Sequence, residues 1–243
     1  MITTVRIGEL RTLREQVEGG RKLIEGITGD HRVLGKEVSR AELIREVLCN
    51  LLAQAANIRV PDCFVLRTGQ GEGEFWYGST YSGRDYLRTF RGNQSNFEGL
   101  KDGPSLWRLV AFDTWIGNED RAPKNLLFQA PGEFMPIDHG EALPSGMKPD
   151  SRYRNRLARH LIAEERDGPQ ALAAQVRRAM ADFADVDFSQ ILFAGLPEGW
   201  GANPEFAEWC KVLRERLRYL PDLIEAEFRT GQGSTIWEFQ RDD

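Results

Sequence analysis

Residues 112–140 read FDTWIGNEDRAPKNLLFQAPGEFMPIDHG, and the fold of this 243-residue chain can be inferred from them outward. Two short apolar runs, 126–128 and 134–137, flank a Pro-Gly-Glu turn at 131–133. A Pro-Gly turn between two apolar runs predicts a β-hairpin. Because a hairpin brings its two ends together, we expect Asn125 and Asp138 to be neighbours at its open end.

The side chains at this open end suit a hard cation. Asn125 and Asp138 offer oxygen ligands, and Asp120 on the preceding loop adds a second carboxylate. Mg²⁺ prefers ligands of this kind. The stretch by itself therefore predicts a divalent-cation site.

Toward the N-terminus, the pattern predicts a sheet with one helix. Residues 21–27 and 31–38 form a candidate hairpin, and residues 63–66 and 75–81 are two further candidate strands. Ser39 followed by Glu42 has the capping-box spacing, so a helix is expected from there to about Ala56. Residues 4–17 show no clean period, and residues 18–20 (EGG) form a flexible break.

Toward the C-terminus, the pattern becomes helical. A buried helix is expected over 106–116, after a polar connector at 84–103 and before a loop at 141–155. Further helices are expected over 156–166, 169–184 and 204–228, the last one broken at Pro221. The order predicts an α+β protein with two lobes, a β-rich lobe over 1–83 and a mainly helical lobe over 84–243.

Composition excludes several classes of protein. The net charge of −5 argues against a protein that coats nucleic acid or a membrane surface, so no nucleic-acid partner is expected. No apolar run approaches the roughly 20 residues that span a bilayer. Cys49, Cys63 and Cys210 are scattered, which predicts neither a disulfide framework nor a zinc site. A reducing cytoplasm is the expected location.

The order of polar residues matches the parts that phosphoryl transfer requires. A lysine on a strand can grip nucleotide phosphates, and a glutamate on the next helix can hold that lysine. One aspartate can orient the attacking hydroxyl, while an asparagine and a second aspartate hold Mg²⁺. In this chain an Asn follows Asp120 by five residues, and another Asp follows the hairpin.

The sequence resembles the HipA-like kinases, which share a catalytic arrangement with phosphoinositide kinases. The resemblance is carried by Asn118-Glu119-Asp120-Arg121 with Asn125, and by Ile137-Asp138-His139-Gly140. Weaker matches toward the N-terminus are residues 18–20, 33–36, 45–48 and 58–61. Residues 196–200 resemble a loop near the C-terminus of compact family members. Ala122 departs from the pattern, because many relatives have His or Thr there.

The resemblance implies a two-lobed, protein-kinase-like fold and a role for each matching residue. Asp120 would be the catalytic acid or base, and Asn125 and Asp138 would bind Mg²⁺. The residues implied to bind ATP are Gly19 and Gly20 of the phosphate loop, Lys36, its ion-pair partner Glu46, and Tyr77 and Ser79 of a hinge whose backbone would bind adenine.

Several alternatives stay open at this point. Lys22 rivals Lys36 for the phosphates, and Glu42 rivals Glu46 as its partner. Arg121 could neutralise a phosphate, although a role in bracing the loop is favoured. The run 152–156 (RYRNR) could be a solvated face or could dock an acidic or phosphorylated partner.

The function implied is an ATP- and Mg²⁺-dependent kinase acting on a protein Ser or Thr hydroxyl. A small-molecule or lipid acceptor stays open, because one catalytic core serves all three. The alternatives are a pseudokinase that binds nucleotide without transfer, and an enzyme that transfers AMP instead of phosphate.

Overall fold

The computed structural model describes residues 6–18, 21–67, 75–80, 103–122, 125–130, 133–164, 168–193 and 204–230. Within these ranges a six-stranded sheet comes first in the chain, and helices with a two-stranded sheet follow. The α+β class is therefore confirmed. The boundary at residue 83 stays a prediction.

The larger sheet is antiparallel except for one pair of strands. Its strands are β1 (Arg6–Glu9), β2 (Arg11–Glu18), β3 (Arg21–Thr28), β4 (His31–Val38), β5 (Cys63–Arg67) and β6 (Phe75–Thr80). They are arranged in the order β1-β5-β6-β4-β3-β2, and only β1 and β5 run parallel. The hairpin of β3 and β4 and the strands β5 and β6 confirm the sequence-based prediction.

The first two strands were not predicted, and their position in the sheet explains why. β1 and β2 are its two edges, and residues 11–15 of β2 are exposed. An edge strand with little burial carries charged residues on both faces, which also discourages pairing with another chain. Such a strand has no apolar alternation to detect.

Helix α1 (Arg40–Ala55) begins as predicted and covers one face of the sheet. The Ser39 hydroxyl accepts a hydrogen bond from the backbone N–H of Glu42 at 3.2 Å, which satisfies an otherwise unpaired N–H of the first turn. The buried residues of α1 pack with Val38, Val65 and Tyr77 of the sheet. Lys36 lies on this same face, because residues two apart in a strand share a face.

The opposite face of the sheet has a small apolar cluster of its own. Its members are Ile24, Val33, Phe64, Leu66 and Trp76. Gly78 provides the space for it, since a Cβ there would lie 2.6 Å from Leu66 Cδ1. The two faces of the sheet are therefore packed independently.

The remaining helices largely follow the prediction. They are α2 (Pro104–Ile116), α3 (Arg156–Glu164), α4 (Pro169–Ala179), α5 (Phe188–Phe193), α6 (Pro204–Arg216) and α7 (Leu220–Thr230). The helix expected over 169–184 ends at Ala179, and a 3-10 helix, Ala181–Asp185, replaces its last part. The predicted break lies at residues 217–219, just before Pro221. Helix α5 was not predicted.

Helix α2 lies at the centre of the main core. Its side chains from Leu109 to Ile116 are all buried. The ring of Trp115 packs against Phe112, Phe183 and Phe188. Full burial of one large apolar side chain contributes about 1.5–3 kcal/mol. The residues that leave the C-terminal end of α2 therefore start from a rigid base.

The predicted hairpin is present as β7 (Leu126–Ala130) and β8 (Glu133–Pro136). The three cysteines are buried, and none of them forms a disulfide. Among the described residues, no helix combines the length and apolarity that a bilayer crossing requires.

Candidate active site

The loop that carries Asp120 begins at a sharp turn. Gly117 ends α2 with φ of +64°, a left-handed conformation that glycine adopts without strain. A Cβ at Gly117 would also lie 2.9 Å from the ring of Tyr153. The chain thus leaves the helix abruptly and turns toward β7.

Arg121 anchors this loop to α2 from within the core. It is fully buried, and its Nε and Nη2 atoms donate to the two carboxylate oxygens of Asp113, each at 3.0 Å. Its Nη1 atom donates to the carbonyls of Ile137 at 2.6 Å and Asn125 at 3.3 Å. Arg121 therefore binds both sides of the hairpin's open end, which supports the bracing role over the phosphate role.

Asn118 extends this brace to the backbone of Asp120. Its amide nitrogen donates to Asp113 at 3.0 Å, and its side-chain oxygen accepts from the N–H of Asp120 at 3.1 Å. The backbone position of Asp120 is thus tied to a buried carboxylate.

The two ends of the hairpin meet as predicted. The Ile137 N–H donates to the Asn125 carbonyl at 2.9 Å, so Asn125 and Asp138 flank the same pair of strand ends. The amide nitrogen of Asn125 donates to the Asp120 carbonyl at 3.2 Å, which leaves the amide oxygen as its acceptor atom. Asp138 has φ of +60°, a strained value that Asp tolerates better than most residues.

Lys36 joins the sheet to this open end. Its Nζ lies 2.5 Å from Glu46 Oε1 and 2.7 Å from Asp138 Oδ1, although Lys36 and Asp138 are 102 residues apart in sequence. Glu42 Oε1 is farther from the same amine, at 3.6 Å. Glu46 is therefore its nearer partner, and Glu42 is a second one.

Lys22 lies elsewhere. Strand alternation places it on the opposite face of the sheet, where its Nζ stands 5.7 Å from the Trp76 ring and 3.9 Å from Glu15. Of the two rival lysines, only Lys36 meets Glu46 and Asp138.

Glu46 also contacts the segment after the hairpin. It is fully buried, and its Oε2 accepts from the backbone N–H of His139 at 2.9 Å. Gly140 leaves room for α1, because a Cβ there would lie 2.7 Å from Glu42 Oε1. The residue type at position 140 thus permits the close approach of helix and hairpin.

The charges of this cluster are strongly coupled. Burial lowers the pKa of Lys36, but Glu46 and Asp138 outweigh it and raise that pKa above its ordinary value. Burial raises the pKa of Glu46, and the Lys36 ammonium opposes this. Burial, aided by Arg121, holds the pKa of His139 well below its ordinary value, so this imidazole is neutral. Lys36 thus stays charged between its carboxylates.

Asp120 has a partner that the sequence did not predict. Arg156 Nη1 donates to Asp120 Oδ1 at 3.0 Å, and both side chains are about half exposed. The basic run at 152–156 was a weak signal of this contact, since it permitted either a solvated face or a docking surface.

Two other buried residues were missed entirely. Arg216 donates to the carbonyls of Thr114, Trp115, Lys148, Pro149 and Ser151. Asn155 donates to Val110 and Thr114. No motif marks such residues, because the fold alone brings them close to the backbone carbonyls and the Thr114 hydroxyl that accept their hydrogen bonds.

The predicted hinge needs correction at the backbone. Tyr77 is paired with Lys36 on one side and Val65 on the other, and Ser79 with Leu34 and Cys63. In such a central strand the backbone groups face neighbouring strands, so these two residues cannot offer them to adenine. Tyr77 still borders the site through its ring, whose centroid is 5.9 Å from Lys36 Nζ. Gly19 and Gly20 lie outside the described residues.

Comparison with known proteins supports the fold. No family model matches the sequence, and no curated protein matches it. Among solved structures, the chain is similar to CtkA, a proinflammatory kinase of Helicobacter pylori, with a TM-score of 0.58 and 12% identity. The match covers 93% of this chain and 98% of that one. At this identity the similarity shows a kinase-like fold alone.

Proposed function

We propose that this protein is an ATP- and Mg²⁺-dependent phosphotransferase that moves the γ-phosphate of ATP to a protein Ser or Thr hydroxyl. The observation that carries the proposal is the contact of Lys36 with both Glu46 and Asp138, at 2.5 Å and 2.7 Å. A strand lysine held by a helix glutamate beside a metal-binding aspartate is the arrangement used for phosphoryl transfer. The kinase-like fold is consistent with it.

The residues at the hairpin's open end fit Mg²⁺. Three acidic side chains, Glu42, Glu46 and Asp138, lie within 4 Å of Lys36 Nζ, and Asp138 is 41% exposed. The described residues hold no group of three or more His, Cys, Asp or Glu side chains suited to a metal. Mg²⁺ commonly takes only one or two protein ligands and completes its shell with phosphates and water. Asn125 and Asp138 would hold it, and when bound it neutralises phosphate charge.

Lys36 would bind the phosphates of ATP. Its ammonium is charged and held in place, and Asp138, its partner in this structure, is 41% exposed. Incoming phosphate oxygens would compete with Asp138 for Lys36. That exchange would leave the Asp138 carboxylate for the cation.

Asp120 would meet the acceptor. Its carboxylate is half exposed, while its backbone is held through Asn118. In the step proposed, the acceptor hydroxyl oxygen bonds to the γ-phosphorus, and the bond from that phosphorus to the bridging oxygen breaks. ADP leaves with the electron pair, and the hydroxyl proton passes to Asp120.

The test is transfer of labelled phosphate by the wild-type chain and by Asp120→Asn and Asp138→Asn. Each substitution keeps the size of the side chain, and we expect each to reduce turnover by about 10²–10⁴-fold. Full activity in either variant overturns the assignment. Mass spectrometry of the product separates a phosphate from an AMP adduct. Mg²⁺-dependent nucleotide binding without transfer to any acceptor would identify a pseudokinase instead.

A further inference from the structure

The segment 152–156 runs alongside the loop that carries Asp120. Tyr153 packs at Gly117, and the N–H of Arg154 donates to Glu119 Oε1 at 2.7 Å. Arg156 then meets Asp120 at 3.0 Å. Since the two stretches stay in contact over these positions, the basic run borders the carboxylate proposed to meet the acceptor.

The backbone of this basic segment and of the residues just before it is held by hydrogen bonds from two buried side chains. Arg216 Nη1 donates to the carbonyls of Lys148, Pro149 and Ser151 at 2.7–3.2 Å. Asn155 Nδ2 donates to Val110 O and Thr114 Oγ1, each at 2.9 Å. Asn155 Oδ1 also accepts from the N–H of Ala158 at 3.0 Å, which caps α3. The backbone at Arg156 is thus held by buried groups, although its side chain is half exposed.

The pair of Arg156 and Asp120 has little structural value. Their side chains are 52% and 48% exposed. Ion pairs with this exposure contribute about 0–1 kcal/mol, so an incoming anion can replace Asp120 at small cost. By contrast Arg159, one turn later on α3, pairs at 2.9 Å with Glu227, which is only 10% exposed. Arg159 is structural, and Arg156 is available for exchange.

The local charge opposes the charge of the whole protein. Residues 152–156 hold three arginines and no acid, whereas the chain has a net charge of −5. A guanidinium has five N–H donors in a planar fork that matches carboxylate or phosphate oxygens. A peptide with an anionic side chain beside its acceptor hydroxyl would satisfy this fork while the hydroxyl reaches Asp120.

We propose that Arg156, flanked by Arg152 and Arg154, is the centre of an anion-binding subsite that selects Ser or Thr acceptors next to an acidic residue. The inference rests on the proposed function and names its substrate class. When the acceptor peptide binds, Arg156 releases Asp120 and pairs with the acidic side chain of the peptide. The same exchange positions the acceptor and leaves the Asp120 carboxylate for its hydroxyl.

Four matched serine peptides test the subsite. They differ only at the residue after the serine, which is Asp, phosphoserine, Asn or Lys. We expect kcat/KM of the wild-type chain to be at least tenfold higher for the two anionic peptides than for the Asn peptide, and lowest for Lys. The Asp and phosphoserine peptides separate carboxylate from phosphate recognition. Arg156→Ala should abolish the preference, mainly through KM, and Arg156→Lys should restore part of it.

The matched control is Arg178→Ala, which removes an exposed arginine at the last turn of α4. This variant should keep the wild-type preference. A preference that survives Arg156→Ala, or a wild-type chain without preference, overturns the subsite.

Binding separates the failure of the subsite from the failure of the proposed function. Anisotropy of the same labelled peptides measures affinity whether or not phosphate is transferred. If no peptide is phosphorylated, the proposed function fails. Tighter binding of the anionic peptides that Arg156→Ala removes would then still support the subsite, and equal binding by both proteins would overturn it.

Discussion

Two ionic clusters contact the open end of the same hairpin, and they differ in the number of acidic side chains around each cation. Arg121 and Asp113 are both fully buried and share two hydrogen bonds of 3.0 Å. The remaining Arg121 nitrogen reaches two backbone carbonyls. Around Lys36, three carboxylates face one ammonium, and Asp138 is 41% exposed.

This difference separates a structural cluster from a binding cluster. A buried pair with matched charges and filled hydrogen bonds has no capacity for a ligand. A cluster in which acidic side chains outnumber the ammonium, and one of them is exposed, can offer an oxygen ligand to a cation. Both clusters contact the open end of the same hairpin. The Arg121 cluster holds this end in place, and the Lys36 cluster includes Asp138 from it.

The largest expected effect comes from breaking the buried pair of Arg121 and Asp113. Arg121→Leu leaves the Asp113 carboxylate buried without its cation, and we expect a loss of about 3–5 kcal/mol in the free energy of unfolding. Urea denaturation measures it. The double variant Arg121→Leu with Asp113→Leu should recover part of the loss, because no unpaired charge is left. A single variant within about 1 kcal/mol of wild type would contradict the structural role.

A smaller effect is expected at the cluster around Lys36, measured as the gain in unfolding free energy when ligand binds. Mg²⁺ with ATP at 100 times its Kd should stabilise the wild-type chain by about 2.7 kcal/mol. Asp138→Asn and Lys36→Met should lose most of the resulting rise in Tm. Lys22→Met is the matched control, since Lys22 lies on the opposite face of the sheet, and it should keep the full rise. Equal loss in Lys22→Met and Lys36→Met would contradict the assignment of Lys36.

The smallest effect is a loss of stability at alkaline pH, and it comes from the buried, neutral thiol of Cys63. Burial raises the pKa of the Cys63 thiol from 9.0 to about 12. Below pH 9 the raised pKa does not change the free energy of unfolding. Between about pH 9 and 12 this free energy falls, because only the unfolded chain ionises its thiol there. At pH 10 the loss is about 1.4 kcal/mol relative to pH 8.

Cys63→Ala is the control for this alkaline loss. Its unfolding free energy should fall less between pH 8 and pH 10 than that of wild type. Lys36 keeps its charge in this range, because Glu46 and Asp138 raise its pKa above the ordinary value. An identical fall in both proteins would show that groups other than the Cys63 thiol cause it.

Much of the fold could be predicted because its signals are local. The Ser39 cap, the turn residues between the hairpin strands and the apolar run of α2 are signals that act over a few residues. The cap, the pairing of the two hairpin strands and the helix were all confirmed. Edge strands β1 and β2 were missed because their residues need no apolar alternation. Helix α5 has only six residues, which is too short for a helical period to be recognised.

The candidate site divides in the same way. The hairpin pattern in the sequence predicted that Asn125 and Asp138 would be neighbours. The order of strand and helix predicted an ion pair between a lysine and a glutamate. The choice of Lys36 over Lys22 needed the sheet, because strand alternation decides which face a lysine occupies. The sequence also does not tell that β6 is paired on both sides, so that the backbone of Tyr77 and Ser79 faces neighbouring strands.

The sequence by itself determined the α+β class, the hairpin at residues 126–136 and the polar residues that could hold a cation. Only the tertiary structure decided that Lys36 reaches Asp138, that Arg121 is a buried brace and that Arg156 faces Asp120. The reason is physical. Turns and caps depend on residues a few positions apart, whereas an ion pair depends on the packing that brings distant charges within 3 Å.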